Sequence, residues 1–287
     1  IQMSNMTDKK EVKVVYKKSI FSRFLTGLTW AVAVVALAIH VFLVGFILIR
    51  GIGNLSLDLF SPVYTSDNVS LVPALWNTLL MTVMALVIAG PLGIFAAIFL
   101  VEYANNKSKA VGLIRITAET LSGIPSIVYG LFGMLFFSTA LGWGYSVLSG
   151  AFTMSIMILP LIMRTAEEAL LSVPVSYREG IFGLGAGKLR TSLRFVLPSA
   201  VPGISSGVIL AIGRVVGETA ALLYTAGSVA DYAGPMNSGR TLAIHMYVLS
   251  NEGLHIDKAY ATAVVLLVLV FVINALSSAV AKKIAKG

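Results

Sequence analysis

The chain has 287 residues, of which 57% are hydrophobic and only 12% are charged. Soluble domains carry about a quarter charged residues, so this composition excludes an ordinary soluble domain and indicates a protein of the lipid bilayer. The net charge is +8, but the basic residues cluster at the ends of apolar runs, which is typical of membrane orientation and not of nucleic-acid binding. The sequence contains no cysteine, which excludes a disulfide framework and a thiolate metal site.

Long uncharged runs predict an all-α protein with six membrane-spanning helices. A helix needs roughly 20 apolar residues to cross the hydrocarbon core, and the run between Arg23 and Arg50 has 26 residues without Asp, Glu, Lys or Arg. The predicted spans are residues 24–49, 74–102, 114–141, 146–172, 196–226 and 259–281. We expect Pro91 and Pro125 to kink the second and third spans. The first span is too long for a signal-peptide core, so it is expected to remain as an uncleaved helix.

The distribution of basic residues predicts that both termini are cytoplasmic. With both ends inside, 16 of the 21 Lys and Arg residues fall on the cytoplasmic side, three fall outside and two lie within spans. We therefore expect a basic cytoplasmic tail at residues 1–23 and one transmembrane domain at residues 24–287. The core of this domain is expected to cover about residues 70–281.

The loop at residues 174–198, between the fourth and fifth spans, carries the most specific pattern in the chain. Apolar residues recur in it at helical spacing with basic residues between them, and Gly180, Gly183 and Gly185 would let another backbone approach closely. Pro198 marks the entry into the fifth span. The pattern predicts a short helical elbow, exposed to the cytosol and suited to docking. A solvated basic connector is the alternative, because basic loops are ordinary on this face of any membrane protein.

This loop resembles the EAA loop of ABC importer permeases. That pattern is Glu-Ala-Ala, three residues, Gly, nine residues and then Ile-x-Leu-Pro, and this chain keeps its spacing. The chain departs from the pattern at Gly180 and Ile181, which replace the two alanines, and at Phe195, which replaces the isoleucine. The resemblance implies a coupling helix that seats in a cytoplasmic ATPase subunit. Its matching positions are Glu179, Gly180, Gly185, Leu197 and Pro198.

The same loop contains a glycine-rich stretch that does not predict a nucleotide site. A P-loop needs Gly five residues before its Gly-Lys pair and Ser or Thr after the lysine, whereas Phe182 and Leu189 stand there. The three histidines are isolated in the sequence, so no metal site is expected. We therefore expect no cofactor and no enzymatic activity in this chain, with ATP hydrolysed by a partner subunit.

Arg164 and Arg214 lie within predicted spans. A cationic side chain there costs at least about 2.5–3.5 kcal/mol on insertion scales, so each is expected to face a cavity or a partner. Counting along the spans places both at a similar depth, inward of the cytoplasmic surface. One alternative is structural, since Glu168 and Glu218 each follow four residues later and would neutralise the two arginines. Alternatively they form an anion site, because guanidinium forks match the oxygens of a tetrahedral oxyanion.

Three further segments resemble Pst-type phosphate permeases, and they lie at residues 123–133, 164–168 and 214–220. The continuation at 221–226 resembles the A-type subunit more than the C-type. This resemblance implies a type I ABC importer permease fold in the inner membrane. The implied partners are a C-type permease, two ATP-binding subunits and an extracytoplasmic phosphate-binding protein. The implied path residues are Arg164, Arg214 and Glu218.

Two alternatives stay open at this point. The first keeps the machinery and changes the cargo to molybdate or sulfate. The second is an ion-driven secondary transporter or channel, against which the coupling loop argues, because such proteins have no ATPase to engage. If phosphate is the cargo, an ionised Glu218 beside Arg214 would accept the hydroxyl proton that phosphate keeps and sulfate lacks. The competing hypothesis places all selectivity in the extracytoplasmic binding protein.

Overall fold

The computed structural model describes residues 20–105 and 108–284, and all regular structure in those ranges is helical. The predicted basic tail at residues 1–23 lies almost entirely outside them. The helices before the elbow are α1 (Ile20–Ile52), α2 (Val72–Ile98), α3 (Lys109–Ser122), α4 (Ser126–Gly133) and α5 (Val147–Leu171). The elbow and the remainder contain α6 (Val175–Gly183), α7 (Lys188–Thr191), α8 (Leu197–Val216), α9 (Ala220–Leu223), α10 (Leu242–Glu252) and α11 (Ile256–Ile284). Single π-helical turns extend α2 at Phe99–Tyr103 and precede α8 at Ser192–Val196, and a longer one, Met134–Ala140, continues α4.

The expectation of an all-α membrane protein is confirmed. Five helical segments are long and apolar enough to cross a bilayer, and a sixth span is obtained if the bent pair of α3 and α4 counts as one. The described residues form two compact units, divided after Phe46. In the first unit, residues 20–46, nearly every apolar side chain is exposed, as expected of a helix that meets lipid tails or a partner helix.

The third predicted span, residues 114–141, is not one helix. The chain bends by 100° between Lys109–Ser122 and Ser126–Ala140. Pro125 causes the break, because it lacks a backbone N–H and disfavours helical geometry at Ile124 before it. A kink was expected at Pro125, and the chain instead breaks there into two helices. Pro91 lies inside the continuous helix α2.

The fifth predicted span, residues 196–226, is also interrupted. Helix α8 ends at Val216, and the backbone N–H of Gly217 closes its last turn onto the carbonyl of Gly213. The chain becomes helical again only at α9, where Glu218 Oε1 accepts a hydrogen bond from the backbone N–H of Ala221 at 3.1 Å. The Glu218 side chain thus caps the first turn of α9. A count of apolar residues along the span does not reveal such a cap.

Close helix packing through small residues holds the core together. A Cβ added to Gly93 of α2 would lie 3.0 Å from Ile162 of α5. Helices α5 and α8 run antiparallel, with Gly203 set against Ala169 and Gly207 against Thr165. Lipid tails are as apolar as these side chains, so burying the side chains does not by itself drive the helices together. The close approach of the backbones adds the van der Waals contacts that stabilise the helix pairs.

The two broken helices pack against each other through glycine. A Cβ on Gly130 of α4 would lie 2.8 Å from the Cα of Ala221 in α9, a backbone atom that cannot rotate away. We expect Gly130→Ala to destabilise the permease by roughly 1–3 kcal/mol, the usual cost of overpacking. Thermal unfolding of the purified protein measures the effect. Gly90→Ala in α2 is the matched control, because nothing lies within 4 Å of its added Cβ. Equal melting temperatures for the two variants would contradict the close approach.

At the end of the molecule opposite the elbow, buried Asn77 organises the connection between α9 and α10. Its Nδ2 donates to the carbonyls of Asp231 (2.8 Å) and Arg240 (3.2 Å), and its Oδ1 accepts from the backbone N–H of Ala233 (3.0 Å). The N-terminus of α5 lies at this same end, since Val147 donates to the carbonyl of Asn237. The long loop is thus fixed by side-chain bonds to its backbone.

Candidate functional site

The elbow predicted at residues 174–198 consists of two short helices, α6 and α7, joined by a tight turn. Gly185 makes the turn with φ of +81°, a backbone conformation that favours glycine. Apolar side chains on the elbow point outward: Leu184 is 88% exposed, and Tyr177 and Leu189 are also exposed. Glu179 and Gly180 lie exposed on α6, and Leu197 and Pro198 form the first turn of α8. The elbow thus carries several large apolar side chains exposed on its surface.

A buried ion pair attaches the elbow to the membrane helices. Arg178 of α6 donates through Nε and Nη2 to Glu102 Oε1, both at 3.0 Å, and the two side chains are 15% and 5% exposed. The same guanidinium also donates to the carbonyls of Val173 (2.8 Å) and Leu170 (2.9 Å) at the end of α5. This pair was not predicted from the sequence, although Glu102 lies at the end of an apolar span and Arg178 lies inside the loop pattern.

Arg164 lines a pocket of about 250 Å³ whose charges are mixed. Its guanidinium lies 3.6 Å from Glu119 Oε1 and 3.7 Å from Glu168 Oε1, so the pairing with Glu168 considered from the sequence is confirmed. Arg115 and Glu167, joined at 2.7 Å, line the same pocket. With two arginines against three glutamates, the pocket has an acidic balance in this conformation and does not favour an anion.

Arg214 lines a different and larger pocket of about 610 Å³, between α5, α8 and α11. Its other lining residues are uncharged: Leu161, Ser206, Ile209, Leu210, Gly213 and Asn274. Arg214 forms no ion pair with any acidic residue within the described ranges. An uncompensated guanidinium beside an open apolar pocket is the arrangement that attracts an anion most strongly.

Asn274 of α11 is the one uncharged polar residue of this pocket whose acceptor has no protein partner. Its Oδ1 is buried without a hydrogen bond, whereas the hydroxyl of Ser206 donates to the carbonyl of Pro202 at 3.0 Å. Asn274 was not among the residues predicted from the sequence. The available signal was a lone amide in an apolar span, since such residues are costly there unless they serve a contact.

Glu218 does not pair with Arg214 in this structure. The predicted spacing of four residues brings side chains together only on a continuous helix, and α8 ends at Val216 before Glu218 is reached. Glu218 instead caps α9 through its bond to Ala221. The predicted neutralising pair is therefore wrong, and the reason is the break at Gly217.

Arg164 and Arg214 also differ in depth. The antiparallel register of α5 and α8, fixed by Gly203 against Ala169 and Gly207 against Thr165, sets Arg214 level with Ile158. About six helical residues, roughly 9 Å at 1.5 Å per residue, separate that level from Arg164. The expectation of a similar depth is wrong, because counting along each span separately does not give the register in which α5 and α8 pack.

Comparison with known proteins assigns the chain to a family. Residues 89–286 match the family described as "Binding-protein-dependent transport system inner membrane component". The chain belongs to this family. It is a permease subunit of an ABC importer and a multi-pass membrane protein.

Curated relatives cover most of the permease. The chain is 34% identical over 281 residues to the "Probable ABC transporter permease protein YqgI" of Bacillus subtilis, covering 90% of this chain and 94% of the relative. It is 36% identical over 206 residues to the "Phosphate transport system permease protein PstA 1" of Mycobacterium tuberculosis, covering 70% of this chain and 67% of the relative. The resemblance to Pst permeases is thereby confirmed.

Solved importer structures share the fold. A chain of a bacterial alginate ABC transporter, in complex with an alginate-bound periplasmic protein, superposes with a TM-score of 0.63 at 15% identity, covering 93% of the permease and 94% of that chain. A chain of the MetNI methionine ABC transporter in an inward-facing conformation gives a TM-score of 0.61 at 21% identity, covering 75% and 95%. These likenesses establish the fold of the permease.

Proposed function

We propose that the permease forms half of the path of an ATP-driven phosphate importer in the inner membrane. The observation that carries the proposal is the unpaired guanidinium of Arg214 beside an otherwise uncharged pocket. A guanidinium keeps its charge at any accessible pH and presents paired N–H donors to an oxyanion. The names of the mycobacterial relatives, which are phosphate transport permeases, support phosphate as the cargo.

The proposed assembly pairs this permease with a C-type permease, two ATP-binding subunits and an extracytoplasmic phosphate-binding protein. The elbow supports the ATP-binding partners, because it presents exposed apolar side chains on a segment fixed to α2 by the pair of Arg178 and Glu102. The cytoplasmic placement of the elbow and of both termini follows from the basic residues that flank the spans. No nucleic-acid partner is proposed.

Within the path, we assign Arg214 the principal attraction for phosphate. Asn274 lines the same pocket, and rotation of its amide group would let its oxygen accept from the hydroxyl group that phosphate carries at neutral pH. Arg164 serves the path in a state in which Glu119 and Glu168 release it. Glu218 belongs to the path as the residue that shapes the break between α8 and α9.

The energy source distinguishes this function from that of a secondary transporter. The purified chain alone is expected to hydrolyse no ATP, and hydrolysis should appear when its ATP-binding partner is added. Phosphate uptake by the complete complex in proteoliposomes should require ATP on the side of the membrane that carries the ATP-binding subunits. A proton or sodium gradient alone should drive no uptake. Uptake driven by an ion gradient without ATP would reject the importer proposal.

Gly185 provides a test of ATPase docking. We expect Gly185→Trp to weaken association with the ATP-binding subunit by at least roughly 10-fold, because the bulky residue is strained at positive φ and projects into the docking surface. Co-purification and substrate-stimulated ATP hydrolysis measure the effect. Gly53→Trp lies outside the elbow, also with nothing within 4 Å of its Cβ, and should leave both unchanged. If Gly185→Trp retained full co-purification and stimulated hydrolysis, the docking assignment would fail.

A further inference from the structure

A second arginine, at the end of the permease opposite the elbow, lies buried without an ion-pair partner among the described residues. Arg240 is only 4% exposed, and its Nε and Nη2 make no hydrogen bond. None of the acidic side chains in the described ranges forms an ion pair with it. A buried charge is normally paired, since desolvation without compensation is among the costliest arrangements in a protein. Arg240 therefore requires a ligand or a partner to explain its position.

The guanidinium of Arg240 is oriented as a fork. Nε and Nη2 form the edge of the group that presents two parallel N–H donors, which is the edge that binds two oxygens of one anion. The group stacks over the ring of Tyr64, with 4.7 Å from Cζ to the ring centroid, and this contact fixes its plane. The backbone N–H of Arg240 donates to the carbonyl of Val229, and its carbonyl accepts from Asn77 Nδ2. The unsatisfied fork is thus held in place by its surroundings.

His245 on α10 adds a second unpartnered polar group to this cluster. It is fully buried, neither ring nitrogen makes a hydrogen bond of normal geometry, and its ring meets Tyr64 edge-on at 6.3 Å. Burial, together with the positive charge of Arg240, lowers the pKa of His245 to about 3, against a weaker opposite effect from the backbone of Val69. The imidazole is therefore neutral at working pH and has one N–H to donate.

The backbone beside the cluster is strained. Val69 has φ of +49° and is fully buried, and a β-branched residue at positive φ is a genuine outlier. Such strain persists where surrounding structure enforces it, and it concentrates at ligand sites and switch segments. Val69 lies in the same connection between α1 and α2 as Tyr64, the residue whose ring contacts the guanidinium of Arg240.

We propose that Arg240, with Tyr64 and His245, forms a binding site for a small free oxyanion, separate from the pocket of Arg214. The fork of Arg240 holds two oxygens, and the neutral imidazole of His245 donates to a third. The site lies at the end opposite the elbow, where an anion would arrive before it reaches Arg214. The inference needs neither phosphate as the transported cargo nor a working ATPase.

The test uses the purified transporter complex without ATP and without the delivering protein, with inorganic phosphate as the probe and chloride of equal ionic strength as the reference. We expect phosphate to raise the melting temperature of the wild-type complex and Arg240→Met to remove the rise linked to this site. In the absence of phosphate, Arg240→Met should melt no lower than the wild type, because the change removes an uncompensated buried charge. If Arg240 had only a structural role, Arg240→Met would lower the melting temperature and leave the response to phosphate unchanged.

Three further variants complete the design. Arg214→Gln should keep the response that depends on Arg240, which separates this site from the proposed path. Lys258→Met removes one charge at the same end, where Nζ donates to Ser56, and should leave phosphate binding unchanged. Arg240→Lys keeps the charge but loses the fork, so equilibrium binding of radiolabelled phosphate should weaken by roughly 10-fold.

Specific outcomes would overturn the inference. Equal responses to phosphate in wild type and Arg240→Met would do so, as would full affinity in Arg240→Lys. Stabilisation that appears only when the delivering protein is added, with no free phosphate present, would identify the occupant as a carboxylate of that protein and reject a free oxyanion.

Discussion

Replacing Arg214 with glutamine is expected to lower phosphate uptake by roughly 100-fold while the permease still assembles, because one charge-assisted fork of about 3 kcal/mol is lost. Glutamine keeps a polar end but is shorter and uncharged, so the substitution removes both the paired donors and the charge that Arg214 contributes to the described lining of its pocket. Uptake of radiolabelled phosphate, normalised to the abundance of the complex in the membrane, measures the effect.

The controls separate a path residue from a structural one. Arg23→Gln removes an exposed charge elsewhere and should transport normally. Arg164→Gln should have a smaller effect than Arg214→Gln, because Glu119 and Glu168 already neutralise much of its charge. Wild-type uptake by an abundant Arg214→Gln variant would reject the site, and loss of the complex from the membrane would indicate a structural role.

The second large effect is expected at the ion pair that holds the elbow. Arg178→Met and Glu102→Met should each uncouple ATP hydrolysis from substrate, because each leaves an unpaired charge in a buried position. Breaking a buried pair costs about 3–5 kcal/mol, whereas removing both partners costs much less. The double variant Arg178→Met with Glu102→Met should therefore recover part of the coupling. Substrate-stimulated ATP hydrolysis, with hydrogen exchange of the α6 amides, measures both effects.

Arg190→Met is the matched control for this pair, since Arg190 is exposed on α7 and contributes the same charge. It should preserve stimulated hydrolysis and the exchange rate of α6. If both single variants retained normal stimulation, the pair would have no role in fixing the elbow. If Glu102→Met retained stimulation while Arg178→Met and the double variant were equally impaired, the loss would come from the carbonyl contacts of Arg178 to Leu170 and Val173 and not from the unpaired charge.

The sequence predicts the spans because their signal is local composition, and the same holds for the elbow, whose motif lies within one loop. The two helix breaks differ in how far the sequence predicts them. Gly123-Ile124-Pro125 carries a recognisable helix stop, whereas the break after Val216 depends on Glu218 capping α9, and glutamate is otherwise a good helix former. The short helix α10 has too few residues for a span and carries no distinguishing motif.

Contacts between residues far apart in the chain could not be predicted from the sequence. Glu102 and Arg178 are 76 positions apart, and their contact depends on how α2 and α5 end together. The register of α5 against α8, set by Gly203 and Gly207, separated Arg164 from Arg214 and placed them in different pockets. Residue identity predicted which side chains matter, but packing decided which of them remain unpaired.

The most direct test of the central claim is anion competition during uptake by the complete complex in proteoliposomes, with its binding protein and ATP supplied. We expect ATP-dependent uptake of labelled phosphate. Unlabelled phosphate should abolish it, a roughly 100-fold excess of sulfate or molybdate should leave it nearly unchanged, and Arg214→Gln should lower it by roughly 100-fold. Sulfate or molybdate uptake in place of phosphate uptake, or phosphate uptake that persists in Arg214→Gln, would contradict it.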